Sequence, residues 1–219
     1  MQDLFIKICG ITNLEDAKFA VKCGAHAVGF NFYDKSPRCI KPELAAEITK
    51  KLPEHISKIG VFVNADRKFI HDVIATAKLS AVQLYGNDGP DDLVDYEVST
   101  IKVFRVKNDF DVEVMQNYIV DAFLLDTHSD KAYGGTGRTF NWNIALKAKE
   151  YGRIILSGGL TPENIESAVR FVQPYGVDVC SGVEVRPGKK DPSKIVNFIA
   201  RAKGIQLSYN KQTGGSDEE

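Results

Sequence analysis

The chain has 219 residues, of which 43% are hydrophobic and 26% are charged, a composition typical of a globular protein with one full core. The formal net charge of −1 indicates neither a nucleic acid nor a membrane as partner. No apolar run approaches the ~20 residues that a membrane-spanning helix needs. The first residues enter an apolar strand pattern without the features of a signal peptide, so we expect a cytoplasmic protein.

The cysteines and histidines give no indication of a metal centre. Cys9, Cys23, Cys39 and Cys180 lack C-x-x-C spacing, and no two of the four histidines lie at metal-ligand spacing. In a cytosolic enzyme we expect the thiols to be reduced.

Short apolar runs alternate with amphipathic helical patterns along the whole chain. The predicted strands are Phe5–Cys9, Ala27–Phe32, Lys58–Val63, Ala81–Leu84, Thr100–Val106, Ala122–Asp126, Arg153–Ser157 and Val177–Cys180. The predicted helices begin near Leu14, Pro42, Arg67, Pro90, Phe110, Asn141, Pro162 and Asp191. The helices near Pro90 and Phe110 have the shortest periodicity. This alternation predicts parallel strands joined by right-handed crossovers.

Eight strand and helix units predict a single (β/α)8 TIM barrel with eight parallel strands, an α/β fold of roughly 200 to 400 residues. The unbroken hydrophobicity of Ile59–Val63 is typical of a strand that is covered on both faces. An open doubly wound sheet is the alternative, but no G-x-G-x-x-G follows the first strand. We expect residues 1–205 to form the barrel and the polar residues 206–219 to be a disordered tail.

The active site of such a barrel lies at the carboxyl ends of its strands. Asp126 ends the sixth strand, on the same face as Ala122 and Leu124. The following loop contains glycines at 134, 135 and 137 and could fold over the acid. Taken alone, an aspartate that caps a surface turn is the competing interpretation.

Cys9 ends the first strand and shares a face with Phe5 and Lys7, which points inward if Ile6 and Ile8 pack under the helices. A cysteine in this position is a candidate base or nucleophile. It would need help, because a free thiol has a pKa near ~8.5. Lys7 could favour the thiolate. A buried, inert thiol is the alternative.

Two polar residues near the second and fourth strands are further candidates. Arg38 follows Pro37 in a loop over the barrel mouth and could bind a carboxylate through two nitrogens, although a solvated surface arginine is an equal alternative. Gln83 lies in the middle of the fourth strand, on the same face as Tyr85. If the Gln83 amide is buried, we expect it to be hydrogen-bonded.

Glycine-bearing loops follow the last two strands. Ser157-Gly158-Gly159-Leu160 precedes a helix start at Thr161-Pro162-Glu163, where Thr161 is the predicted N-cap. Cys180-Ser181-Gly182-Val183 leaves room only for a short helical turn. Exposed backbone N–H groups and a helix start bind anions, and phosphate sites after strands seven and eight recur in this fold. We expect the residues Gly158, Gly159, Ser181 and Gly182 to form an anion site.

Together these segments resemble the phosphoribosylanthranilate isomerase family. The matching segments are Lys7-Ile8-Cys9-Gly10-Ile11-Thr12, Ser36-Pro37-Arg38, Gly60-Val61-Phe62-Val63-Asn64, Val82-Gln83-Leu84, Leu125-Asp126, Gly134-Gly135-Thr136-Gly137-Arg138-Thr139-Phe140, Ser157-Gly158-Gly159-Leu160 and Ser181-Gly182-Val183-Glu184. The resemblance implies an isomerase of tryptophan biosynthesis. It would convert N-(5-phosphoribosyl)anthranilate to 1-(2-carboxyphenylamino)-1-deoxyribulose 5-phosphate by an Amadori (aldose-ketose) rearrangement, without metal or cofactor.

The resemblance also implies roles for individual residues. Asp126 would be the general acid that protonates the ribose ring oxygen, and Cys9 the general base that removes the C2 proton. Arg38 would hold the anthranilate carboxylate and the glycine loops the phosphate, with Lys7 and Gln83 in support. Transient contact with neighbouring tryptophan-pathway enzymes is a further expectation.

The sequence departs from the family pattern at two positions. Tyr85 stands where a histidine is common, and Cys39 stands where an aromatic residue is common. These departures concern contacts near the substrate and leave the expected reaction unchanged.

Two other functions are alternatives to this one. The aminoaldose isomerase of histidine biosynthesis resembles a duplicated half-barrel with two phosphate loops and two catalytic aspartates. In this chain Cys9 stands at the first of those positions, and no second Gly-Gly loop follows the third or fourth strand. A non-catalytic sugar-phosphate binding protein is the other alternative, and the presence of both Cys9 and Asp126 argues against it.

Overall fold

The computed structural model describes residues 3–93, 95–127 and 140–213, of which 205–213 are described by their backbone alone. Eight parallel strands close into a barrel in sequence order, so the predicted (β/α)8 fold is confirmed. The strands are β1 (Phe5–Ile8), β2 (Ala27–Asn31), β3 (Ser57–Val63), β4 (Ala81–Tyr85), β5 (Ser99–Val106), β6 (Ala122–Thr127), β7 (Ile154–Leu156) and β8 (Gly176–Val179). These strands overlap all eight predicted ones and begin and end close to the predicted residues.

Helices cover the outside of the barrel. The α-helices are α1 (Leu14–Cys23), α2 (Pro42–Thr49), α3 (Arg67–Ala77), α4 (Asn143–Ala148), α5 (Ile165–Val172) and α6 (Pro192–Thr213). The two helices with the shortest predicted periodicity are only 3-10 turns, at Pro90–Leu93 and Val112–Asn117. The prediction of eight α-helical units is therefore wrong at these two places, because neither segment has enough residues with helical periodicity to bury a full apolar face.

Local capping fixes several helix ends. The Asn13 side chain accepts a hydrogen bond from the backbone N–H of Asp16 at the start of α1, and Gly24 ends that helix with φ 99°. The start of α5 differs from the prediction. The Thr161 hydroxyl accepts the N–H of Glu163 (3.2 Å), as a cap would, but residues 162–164 form a turn and the α-helix begins at Ile165.

The strands separate two apolar layers. Side chains such as Ile6, Ile8 and Phe123 pack between the barrel and the helices. Residues on the alternate positions, such as Leu124 and Cys9, belong to the cluster inside the barrel. Alternation along each strand therefore assigns side chains to the two layers as the sequence predicts.

A short antiparallel hairpin follows β8 and was not predicted. After a 3-10 turn at Ser181–Val183, β9 (Glu184–Arg186) pairs with β10 (Lys189–Lys190). The hairpin is tied to α1, because the backbone N–H of Lys190 donates to Asp16 Oδ2 (2.8 Å). The Glu184 side chain at the start of this hairpin also pairs with Arg38, which follows β2.

The last helix is longer than expected. The backbone of α6 is helical as far as Thr213, beyond the predicted boundary at residue 205. Residues 214–219 lie outside the described part of the chain, so the division into a barrel and a disordered tail stays a prediction. None of the helices in the described residues is long and apolar enough to cross a bilayer.

We expect α6 to contribute strongly to stability through Phe198, which is 0% exposed. Phe198→Ala should lower the free energy of unfolding by about 3–5 kcal/mol, because it leaves a cavity in the core. Urea denaturation monitored by circular dichroism would measure the change. The control is Val196→Ala on the same helix, where the side chain is 45% exposed and we expect a change within about 0.5 kcal/mol. Equal effects of the two substitutions would show that α6 is not integral to the core.

Candidate active site

A cleft that is partly open to solvent lies at the carboxyl ends of the barrel strands. Most of the residues predicted for the site line it: Cys9, Arg38, Asp126, Gly158, Gly159 and Ser181. Three predicted residues, Lys7, Gln83 and Gly182, do not belong to its lining. The predicted glycine loop over Asp126 falls in residues 128–139, which are outside the described part of the chain.

Cys9 lies at the inner rim of the barrel, 7% exposed, and its backbone N–H donates to the carbonyl of Val179 (2.9 Å). Cys180, which directly follows β8, is the largest influence on the pKa of Cys9 and lowers it through a side-chain hydrogen bond. Burial raises this pKa, and the Lys7 ammonium lowers it, so that the pKa of Cys9 is about 7. A substantial thiolate fraction is therefore available near neutral pH.

Lys7 lies one step below Cys9 and is completely buried. Its Nζ forms an ion pair with Asp178 Oδ1 (2.8 Å), and the two residues are register partners on β1 and β8. Burial lowers the pKa of Lys7, but Asp178 and Cys9 raise it by more, so the pKa lies above the ordinary lysine value. Lys7 therefore stays charged beneath the thiol. Its effect on Cys9 has the direction that the sequence predicted.

Asp126 is 2% exposed, and its Oδ2 accepts a hydrogen bond from the Tyr85 hydroxyl (3.0 Å). Burial is the largest influence on this carboxyl and raises its pKa, whereas the hydrogen bond from Tyr85 lowers it. The Asp178 charge raises the pKa further, while the Thr127 N–H and the Arg105 charge lower it. The outcome is a pKa of about 6 for Asp126, against an ordinary value of 3.8. The surface-cap interpretation of Asp126 is therefore wrong.

Arg38 is not a solvated surface residue, since its side chain is only 13% exposed. The Nε and Nη2 atoms both donate to the Glu184 carboxylate, with a shortest distance of 2.7 Å. Glu184 in turn accepts from Lys190 Nζ (3.0 Å), which holds the arginine between the β2 loop and the hairpin. Because one edge of the guanidinium is used by Glu184, a carboxylate ligand would meet the opposite edge, at Nη1.

The two glycine loops are in contact with each other. Gly158 and Gly159 have φ of 79° and 71°, in the left-handed region that favours glycine. A side chain at Gly158 would collide with the backbone nitrogen of Thr127, and one at Gly182 would collide with the carbonyl of Leu160. Only glycine therefore permits the close approach of these loops. Residues of both loops line the cleft.

Gln83 differs from the prediction. The side chain is buried inside the barrel, yet neither its Nε2 nor its Oε1 has a hydrogen-bond partner among the described residues. The expectation that a buried Gln83 would be hydrogen-bonded is therefore wrong. Its neighbours across β3 and β5 in register, Val61 and Ile101, are apolar and offer no side-chain partner.

Comparison with known proteins identifies the family. The family model described as N-(5'phosphoribosyl)anthranilate (PRA) isomerase matches residues 6–201. The chain belongs to this family. The resemblance seen in the sequence motifs is thereby confirmed.

Two curated relatives illustrate the similarity. The N-(5'-phosphoribosyl)anthranilate isomerase of Geotalea uraniireducens is 51% identical over 200 residues, which is 91% of this chain and 98% of the relative. The enzyme of the same name from Geobacter sulfurreducens is 51% identical over 199 residues, with the same coverage. The likeness thus extends over nearly the whole of both proteins.

Solved structures of the family share the fold. Phosphoribosyl anthranilate isomerase from Thermotoga maritima superposes with a TM-score of 0.85 and 46% identity, covering 92% of this chain and all of that one. The Thermus thermophilus enzyme gives a TM-score of 0.85 at 34% identity, with the same coverage. A further family structure, in complex with reduced 1-(o-carboxyphenylamino)-1-deoxyribulose 5-phosphate, gives a TM-score of 0.82 at 43% identity, again covering 92% of this chain and all of that one.

Several residues around the candidate site were given no role from the sequence. They are the hydrogen-bonding or charged partners of predicted residues, namely Tyr85, Asp178, Cys180, Glu184 and Lys190. Asp178 carried a usable signal, because a charge inside an apolar strand needs a buried counter-charge, and Lys7 is in the same situation. Within the described residues, no group of three His, Cys, Asp or Glu side chains could hold a metal ion.

The Cys180 thiol should control how readily Cys9 ionises. Cys180→Ala removes the donor and should raise the pKa of Cys9 from about 7 by roughly one unit or more. Cys180→Ser keeps an O–H donor and should leave the value close to that of the wild type. The measurement is the pH dependence of iodoacetamide alkylation at Cys9, followed by mass spectrometry in a Cys23→Ala, Cys39→Ala background. An unchanged midpoint in Cys180→Ala would contradict the assignment.

Proposed function

We propose that this chain catalyses the Amadori rearrangement of N-(5-phosphoribosyl)anthranilate to 1-(2-carboxyphenylamino)-1-deoxyribulose 5-phosphate in tryptophan biosynthesis. Family membership supports the substrate. The single observation that carries the proposal is the cleft in which a buried carboxyl and a buried thiol, with pKa values of about 6 and about 7, face the two glycine loops. Such values suit a general acid and a general base that work near neutral pH.

The first step opens the ribose ring. The Asp126 carboxyl donates its proton to the ring oxygen, the C1–O bond breaks with its electron pair remaining on the oxygen, and the nitrogen lone pair forms a C1=N iminium. An aspartate with a pKa of 3.8 would be protonated in less than one molecule in a thousand at pH 7, whereas a pKa of about 6 leaves about a tenth protonated. The burial of Asp126 therefore makes it a usable acid.

The second step moves a proton from carbon. The Cys9 thiolate removes the proton from C2, and the C2–H electrons form a C1=C2 double bond while the iminium nitrogen recovers its lone pair. The enolamine then loses the proton of the C2 hydroxyl and gains one at C1, which yields the ketone. Lys7 and Cys180 support this step by favouring the thiolate before it accepts the proton.

Binding is divided between two sides of the cleft. Arg38, held by Glu184, would bind the anthranilate carboxylate through its remaining edge. The loops with Gly158 and Gly182 would bind the phosphate through backbone N–H groups. Gln83 would act in support from inside the barrel.

We further propose that the protein works in the cytoplasm. It would make transient contacts there with neighbouring enzymes of tryptophan biosynthesis. Residues 1–205 would form the catalytic barrel and the remaining residues a tail without a chemical role.

The proposal predicts consumption of freshly prepared phosphoribosylanthranilate by the purified protein, measured by chromatography. Asp126→Asn and Cys9→Ser should each lower kcat by about a hundredfold to ten-thousandfold, because each removes one proton-transfer group. Asp72→Asn is the matched control, since Asp72 is an exposed helical carboxylate paired with Lys68. Binding of ribose 5-phosphate should survive in Asp126→Asn. Binding without turnover by the wild type would favour the non-catalytic sugar-phosphate protein.

The two pKa values predict the pH dependence of kcat/KM. The acid must be protonated, so its active fraction falls above about pH 6, and the base must be ionised, so its active fraction falls below about pH 7. Their product is largest between these values and falls about tenfold per pH unit on either side. Initial rates at low substrate from about pH 4.5 to about pH 9 would test this. A rate that rises steadily to the alkaline end would contradict the assignment of Asp126 as the acid.

A further inference from the structure

Tyr85 is the last residue of β4 and points into the barrel, where it is buried. Its hydroxyl donates to Asp126 Oδ2 at 3.0 Å. In the barrel, β5 separates β4 from β6, so this side chain reaches past a whole strand to touch the acid. The contact therefore joins two strands that are not hydrogen-bonded to each other.

The groups around Tyr85 keep its hydroxyl protonated. Burial is the largest influence and raises the pKa of Tyr85, and the nearby charges of Asp126, Asp178 and Cys9 raise it further. These neighbours come from β6, from β8 and from the end of β1. A neutral phenol can donate its hydroxyl proton to a carboxylate oxygen, and an ionised carboxylate can only accept.

The remaining groups that face Asp126 include some that raise its pKa and some that lower it. Arg105, its register partner on β5, and the N–H of Thr127 favour the carboxylate, whereas the Asp178 charge opposes it. The hydrogen bond from Tyr85 is the largest of the influences that favour the charged form. This hydrogen bond also joins one side-chain hydroxyl to one specific carboxyl oxygen, Oδ2.

We propose that Tyr85 is the positioning residue of the acid: by holding Asp126 Oδ2 it leaves Oδ1 to carry the proton towards the substrate. This inference rests on the proposed function. When Oδ1 transfers its proton to the ring oxygen, the negative charge that forms on the carboxylate strengthens the bond from the Tyr85 hydroxyl. Tyr85 loses no proton and forms no bond to the substrate, so the atoms and charges of the step are those of Asp126 alone.

The test is Tyr85→Phe, which removes one oxygen atom and keeps the ring. We expect kcat to fall by about tenfold to a hundredfold with KM within about threefold, because the lost bond is one to a charged group that matters most after proton transfer. We also expect the pKa of Asp126 to rise by roughly one unit or more, measured by NMR titration of its 13C-labelled carboxyl. A merely structural role would leave this pKa unchanged.

The matched control is Tyr118→Phe, which removes a hydroxyl that donates to the carbonyl of Asp88 (3.4 Å), away from the cleft. Its kcat and Asp126 titration should equal those of the wild type. Suppose that wild type and control both turn the substrate over. An unchanged Asp126 pKa in Tyr85→Phe, or a change in KM alone, would then overturn the positioning role. The proposed function would remain intact. Absence of turnover by the wild type would overturn both.

Discussion

The ion pair of Lys7 and Asp178 lies where the barrel closes. The two residues face each other as register partners across β1 and β8, buried, at 2.8 Å. Each charge is tolerated in the interior because the other compensates it, and the loss of one would leave an unpaired buried charge. The site depends on this pair, since the cation favours the Cys9 thiolate from below while the anion discourages ionisation of Asp126.

The same barrel interior therefore shifts the pKa values of two groups in opposite directions. Burial and Asp178 raise the pKa of Asp126 from 3.8 to about 6, against the effect of Tyr85. Cys180 and Lys7 lower the pKa of Cys9 from 9.0 to about 7, against the effect of burial. A carboxyl and a thiol that would otherwise titrate about five units apart thus come within about one unit of each other, which is what an acid and base pair near neutral pH requires.

Ion pairs and close backbone packing hold the parts of the cleft in place. Glu184, at the start of the hairpin, ties Arg38 of the β2 loop to Lys190. On another side, Gly182 packs against the carbonyl of Leu160, and no larger residue fits there. Arg38 and the glycine loops therefore line the same cleft.

Local patterns in the sequence determined the eight-strand barrel, the inward faces of its strands and the placement of Cys9, Asp126 and the glycine loops, because the period of two and the position of a strand end are readable from consecutive residues. The same patterns predicted two α-helices where the structure has only 3-10 turns. They also predicted a hydrogen-bond partner for the Gln83 amide, which has none among the described residues. Only the tertiary structure decided which side chains meet. Barrel closure and strand register join residues far apart in the chain: Lys7 with Asp178, Cys9 with Cys180, Arg38 with Glu184, and Tyr85 with Asp126.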